Sequence, residues 1–308
     1  MKNCVVFILS IYSASCFPQD SSLYTNDLPK LNKPRFWIAT SASAALWTSS
    51  YIALSQAWYK DHDRTSFHFF NDNKEWQQVD KIGHIWSSYQ MSRLSTEMWR
   101  WTGMKKKTAT LVGGASGVAY LSIMEIQDAY SSKWGFSWGD MLANMAGAAA
   151  FVSQQLHWDD QRIQIKMSYS PYDYAKPLSA RRDQLFGNSL AEKILKDYNS
   201  QSYWLSVNIS SFTKGSFPKW LNLAFGYHAE GMLGGFENFW TDKNGVFFDR
   251  SDITRTRALL ISPDIDWTKI RSGKKAVKSL LFILNMVKIP APALELKQGK
   301  VRARGIYF

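Results

Sequence analysis

Four stretches in the first half of the chain are apolar or small for most of their length, and polar clusters or a helix breaker separate them. Residues 36 to 59 carry no formal charge and are dominated by Ala, Leu, Trp and Ser, which predicts a helix. The polar run from Asp61 to Asn73 interrupts it. Lys74 to Trp101 predicts a second helix, with Val79, Ile82, Trp86, Tyr89 and Met91 among its apolar positions and a stop at Gly103. A third is expected from Thr108 to Met124, uncharged and carrying Gly113, Gly114 and Gly117; a fourth runs from about Trp138 to Trp158, with Ala143 and Gly147. Small residues at every fourth place let two helix backbones approach closely.

Beyond residue 159 the hydrophobic period shortens to two. Arg162 to Tyr169, Tyr203 to Ile209 and Trp220 to Tyr227 alternate polar with apolar, and Arg255 to Ser262 and Lys300 to Phe308 add two more expected strands. Gln184 to Tyr198 and Lys274 to Val287 read as helices, and the glycine-rich, aromatic run from Gly226 to Phe236 as a loop or a bent strand. The expected fold class is α+β: a four-helix bundle-like domain over residues 36–158, then an antiparallel β-rich domain over residues 159–308 with two interspersed helices. A last strand ending in Phe308 resembles that of outer-membrane barrel proteins, yet five or six strands fall short of the eight a single-chain bacterial barrel needs. A soluble or membrane-apposed β domain therefore stands beside a barrel.

The N-terminus sets the compartment. Met1-Lys2-Asn3 is short and positive, Val5 to Tyr12 is almost wholly apolar, and Ser13-Ala14-Ser15 supplies small residues, which together predict an export signal over residues 1–16 and a polar leader over residues 17–35. Cleavage before Cys16 would leave that cysteine as a candidate lipidation site, although Ser13 stands where a lipobox usually has an aliphatic residue; ordinary cleavage at Ser15 is the alternative. The other cysteine, Cys4, lies inside the signal, so an intramolecular disulfide in the exported chain is excluded.

Composition leans the same way. Hydrophobic residues make up 45% of the chain and aromatics 15%, with 14 Trp, as in proteins that work at a membrane interface. The formal charge of +12, from 37 Lys and Arg against 25 Asp and Glu, favours acidic partners. With no nucleic-acid motif present, the expected partner is a membrane or anionic lipid surface, or an envelope protein, and not nucleic acid.

Ionisable residues set among these apolar helices are the candidate chemistry, because burying them is costly without partners. Asp80 and His84, Glu125 and Asp128, and Asp140 and Asn144 each share a helix face by their spacing. Up-and-down connection of the helices gathers them at one mouth, with His62 and His68 in the adjoining loop, and puts Arg93, Arg100 and Lys105 to Lys107 on a basic rim opposite. Export of the N-terminus would place that rim outside, against the usual bias of basic loops, which favours a periplasmic bundle over the alternative of an inner-membrane one.

Two readings of the mouth compete. In one, the six residues are caps and hydrogen-bond partners that hold the bundle together. In the other, Asp80, His84, Glu125, Asp128, Asp140 and Asn144 form a catalytic site, with His84, Asp80 and Asp140 as candidate ligands of a hard divalent metal; one imidazole among carboxylates does not suit structural zinc. No cofactor is otherwise indicated. Nucleophile elbows, phosphate loops and paired-cysteine motifs are absent from the sequence. His228 and Glu230, beside the glycine run, are a lesser candidate pair.

The order Asp80-Lys81-x-x-His84, Glu125-x-x-Asp128-x-x-Ser131 and Ser137-Trp138-x-Asp140, followed by Asn144 and Gly147, resembles the YfiM-like family of predicted periplasmic lipoproteins, a domain of unknown function. A looser likeness holds to VanZ-like membrane proteins, and the pattern covers roughly residues 70 to 155. The resemblance implies an envelope location, in the periplasm or at the outer membrane, and no defined reaction. Function is thus expected to be that of a structural or adaptor protein of the envelope, or of an enzyme or binding protein acting on a lipid-linked or cell-wall substrate.

Overall fold

The computed structural model describes residues 30–59, 62–242 and 244–308, so the export signal and Cys16 lie outside the described residues. In chain order the helices are α1 (Lys33–Trp58), α2 (Val79–Trp101), α3 (Lys106–Asp128), α4 (Trp138–His157), α5 (Ser179–Phe186), α6 (Leu190–Lys196) and α7 (Lys275–Leu284). The strands are β1 (Ile163–Tyr169), β2 (Gln201–Asn208), β3 (Leu221–Glu230), β4 (Phe239–Thr241), β5 (Phe247–Asp249), β6 (Thr256–Ile265), β7 (Ala291–Lys297) and β8 (Lys300–Tyr307). This is the expected α+β order, four helices and then antiparallel strands.

The chain divides into two compact units that alternate along the sequence. Among the described residues, the helical unit takes those up to Asn71, His84–Gln161 and Ile270–Leu284; the sheet unit takes Asp72–Gly83, Arg162–Lys269 and Asn285–Phe308.

In the helical unit, α2 and α3 meet along two stripes of four-residue period. His84, Ser88, Ser92 and Thr96 form one, and Gly113, Gly117, Leu121 and Glu125 the other. Contact is so close that a Cβ on Gly113 would lie 2.0 Å from Thr96 Oγ1, and one on Gly117 2.9 Å from the Ser88 carbonyl oxygen. Gly147 does the same for α4, where a Cβ would come within 2.2 Å of the Ile85 carbonyl oxygen. Backbones this near gain dispersion contacts that larger residues would prevent. Helix α1 is capped by Asn32, whose side chain accepts from Arg35 N at 3.0 Å, with a proline in its first turn. It leans on α3 through the Tyr120 hydroxyl, which donates to Ser50 Oγ at 2.6 Å. Arg93, expected on a basic rim, is instead buried: it donates to the Phe282 carbonyl at 2.9 Å and lies 3.7 Å from the centre of that ring. A 23-residue helix offers both a wet and a packed face, and charge alone does not say which one an arginine joins.

The second helix begins at Val79 rather than Lys74. Residues Glu75–Gln78 form a tight turn in which Trp76, Gln77 and Gln78 all have positive φ. Contacts within the sheet unit hold that strain: Trp76 N donates to the Gly235 carbonyl at 2.7 Å, its ring packs on Phe186 and Tyr198, and the Tyr227 hydroxyl donates to the Gln77 carbonyl.

The main sheet is an antiparallel meander ordered β1-β2-β3-β6-β7-β8, and β4 pairs with β5 in a separate hairpin. Its register places side chains in rows across the strands. Ile165, Leu205, Phe225, Ile261, Leu294 and Ala303 make one row, and Ile163, Val207, Leu223 and Pro263 make another on the same face. The intervening row on the opposite face begins Gln164, Ser206, Ala224 and Ser262, and Lys166 and Glu295 lie on that face too. It is this mostly polar face that is buried, with Trp204, Ala224 and Leu260 packed among its polar groups, while Leu205, Phe225, Leu259, Ile261, Leu294 and Leu296 of the other face are all exposed and only its β1 end, with Ile165, Met167 and the neighbouring Tyr203, is covered. Strand β7 was not expected from the pattern, because prolines at 290 and 292 and a short alternation disguise it. The helix expected over Gln184 to Tyr198 is two helices, broken at Gly187 (φ 78°), after which Ser189 and Glu192 form a reciprocal cap.

Candidate functional site

The close approach of three helices builds the site from the stripes just described. His84 opens the α2 stripe, Glu125 lies on the last turns of α3, and Asp140 and Asn144 occupy successive turns of α4. Ser137 caps α4, its hydroxyl accepting from Asp140 N at 3.1 Å, so the Asp140 carboxylate sits where the helix dipole favours negative charge. Gly147, two turns further on, lets α4 come against α2 at Ile85, next to His84.

The geometry fixes the imidazole. His84 Nδ1 lies 3.0 Å from Asn144 Oδ1 and 3.7 Å from Glu125 Oε1, and Nε2 lies 3.6 Å from Asp140 Oδ1. With the Asn144 amide oxygen turned to the ring, Nδ1 is the donor of this pair, and the tautomer follows the orientation of that amide. Nε2 then faces Asp140 either with a second proton, as an imidazolium, or with its lone pair. Glu125 is 1% exposed, Asp140 4% and Asn144 0%, while the His84 side chain retains 22%, which makes it the accessible member of the group. The arrangement can hold a proton between His84 and Asp140, or present one nitrogen and carboxylate oxygens to a hard cation.

The other expected members have further partners of their own. Asp128 accepts from the Tyr59 hydroxyl at 2.6 Å, tying the end of α3 to the end of α1; burial first, and the Asp128 charge second, push that phenol well above its usual range. Replacing Tyr59 with Phe is expected to lower stability by about 2 kcal/mol, read as a reduced thermal midpoint, because a charged acceptor loses its donor. Asp80, one turn before His84 on α2, is held within the sheet unit by the Tyr198 hydroxyl at 2.6 Å and by Lys81 at 3.3 Å; Lys81 also pairs with Asp72 at 2.7 Å. The His62 ring packs on Trp134, and His68 bonds the Ser66 carbonyl at 3.2 Å and lies over Gly135. His228 and Glu230 are 3.3 Å apart in the sheet unit, with Lys297 also on Glu230. Ser88, Ser92 and Thr96 were missed as part of the setting, although their spacing of four from His84 was a readable signal.

Residues 68–155 match the family described as Predicted periplasmic lipoprotein (DUF2279). The match spans α2, α3 and α4 and includes His84, Glu125, Asp128, Asp140 and Asn144. It supports an exported protein of the cell envelope. No curated protein and no solved structure matches the chain. Among the described residues one helix, α3, is long and apolar enough to cross a membrane.

Proposed function

We propose that this is a structural or adaptor protein of the envelope, associated with a membrane, whose polar cluster holds the helices in register. The observation that carries this reading is the bond between His84 and the fully buried Asn144, which ties α2 to α4 at their closest approach. A further carboxylate of the expected mouth supports it, since Asp128 is taken by the Tyr59 hydroxyl. A second reading is favoured by the placement of Asp140 opposite His84 Nε2: with Nδ1 turned to Asn144, that nitrogen suits general acid and base work, or a divalent cation shared with Asp140, in an enzyme or binding protein for lipid-linked or cell-wall substrates.

One experiment separates the two. The full chain and a variant carrying both His84→Ala and Asp140→Ala are analysed for bound metal, titrated calorimetrically with Mg²⁺, Ca²⁺, Mn²⁺ and Zn²⁺, and melted. A structural role gives no stoichiometric metal in the parent and a variant whose midpoint falls by several degrees. Stoichiometric metal in the parent, lost in a variant that keeps its midpoint, overturns it in favour of the metal-dependent reading.

A further inference from the structure

We infer that the apolar outer face of the main sheet is a lipid-contacting surface, covered by the acyl chains of a bilayer. The polarity of the sheet is inverted relative to a water-soluble one. A sheet that folds in water buries its apolar rows and wets its polar ones. Here the buried face carries the Lys166–Asp264 pair, both side chains 0% exposed, and beside it Ser206, Asn208 and Asn222 bonded to one another or to Asp264. The opposite face leaves Leu259 56%, Leu294 53% and Phe225 45% exposed, in rows continuous from β2 to β7. A period-two alternation that runs apolar outward and polar inward over several neighbouring strands is the pattern of a lipid-facing wall.

Two dimensions agree with that occupant. Strands β3 and β6 have 10 residues each, which at about 3.3 Å per residue and a tilt of about 45° rise about 23 Å, close to the roughly 25 Å height of a barrel's apolar band. Exposed aromatics lie at both ends of these strands: Phe212, Phe217 and Trp220 at one, and Phe239, Phe247 and Phe248 on the β4–β5 hairpin side at the other. Aromatic bands at the two interfaces are what a bilayer selects. One corner of the apolar face is covered from within the unit, where Tyr203 and Tyr227 meet Gly83 and Gln77. The free edge of β1 is partly closed by a bridge between Met167 and Val287, with Lys288 N donating to the Met167 carbonyl at 2.9 Å. Lipid contact requires only the face; the backbone groups along the far edge of β8 need a further strand or headgroup water.

This inference draws only its location from the envelope reading, and its test does not depend on the helical cluster. The unmodified full chain is reconstituted into phosphatidylethanolamine–phosphatidylglycerol vesicles containing a phospholipid with a diazirine in its acyl chain, irradiated, and mapped by mass spectrometry. The expected result is labelling on alternate residues, at Leu223, Phe225, Leu259, Ile261, Leu294 and Leu296, and none at Ser206 or Ser262. A companion variant with Phe225→Arg and Ile261→Arg should partition into the same vesicles at least about 30-fold less well, the cost of a charge on a lipid face. The inference is overturned if label is confined to the N-terminal residues and the helical unit, as for a chain held only by an acyl anchor. It is also overturned if the sheet stays unlabelled while two copies of a Leu259→Cys variant join through a disulfide under mild oxidation, which would make the face a self-association surface.

Discussion

Replacing Gly147 with Leu is expected to cost the helical unit about 3 kcal/mol or more, and to lower its thermal midpoint by about 10 °C. The atom a side chain would meet is backbone, the Ile85 carbonyl oxygen at 2.2 Å from an added Cβ, with Ser88 Cβ at 3.0 Å. Backbone cannot rotate aside as a side chain can, so α4 must move away from α2 as a whole. That movement also carries Asp140 and Asn144 away from His84, so the imidazole resonances of His84 should shift towards those of a solvated histidine even where the helices persist. Gly273→Ala is the control: nothing lies within 4 Å of its Cβ position, and the change should stay within about 0.5 kcal/mol. A Gly147→Leu protein that melts with the parent and keeps its His84 resonances would mean that α2 and α4 are not in close contact.

Much of the helical unit is legible in the sequence because its packing is written in small residues. Gly113 and Gly117, and Ala143 and Gly147, at four-residue spacing announce close helix contacts, and the polar residues one or two turns away are carried to the same contacts. What the sequence does not resolve is how polar partners are shared. Glu125 and Asp128 are three residues apart on one helix, yet one faces His84 and the other Tyr59, because neighbouring helices lie on both sides of that turn. The start of α2 is not legible for a related reason, since Trp76, Gln77 and Gln78 have ordinary propensities and only contacts with Gly235, Phe186 and Tyr227 fix their left-handed backbone. In the sheet, alternation gives the strands but not the sign of their faces. A period of two says that one face differs from the other, and only the neighbours decide which of them is enclosed.

That sign is tested most sharply at Lys166. Its ammonium lies 2.7 Å from Asp264 Oδ2 and donates to the Ile265 carbonyl at 2.7 Å, while the same carboxylate oxygen accepts from Ser206 at 2.6 Å. Removing one partner of a fully buried pair leaves a charge that has lost its counter-ion, at a cost of about 3–5 kcal/mol. Lys166→Met should therefore lower the urea midpoint of the sheet unit, followed by tryptophan fluorescence because Trp204 is buried on the same face. Adding Asp264→Leu should recover most of the loss, since two apolar side chains of similar volume need no counter-charge, though Ser206 then lacks its acceptor and some deficit remains. If the single variant unfolds like the parent, the polar face is wet rather than enclosed, and the apolar rows are then the inside of the sheet. If the single variant is weakened and the double variant is largely restored, the face that carries Lys166 and Asp264 is the enclosed one, and the apolar rows are left to whatever surrounds the sheet.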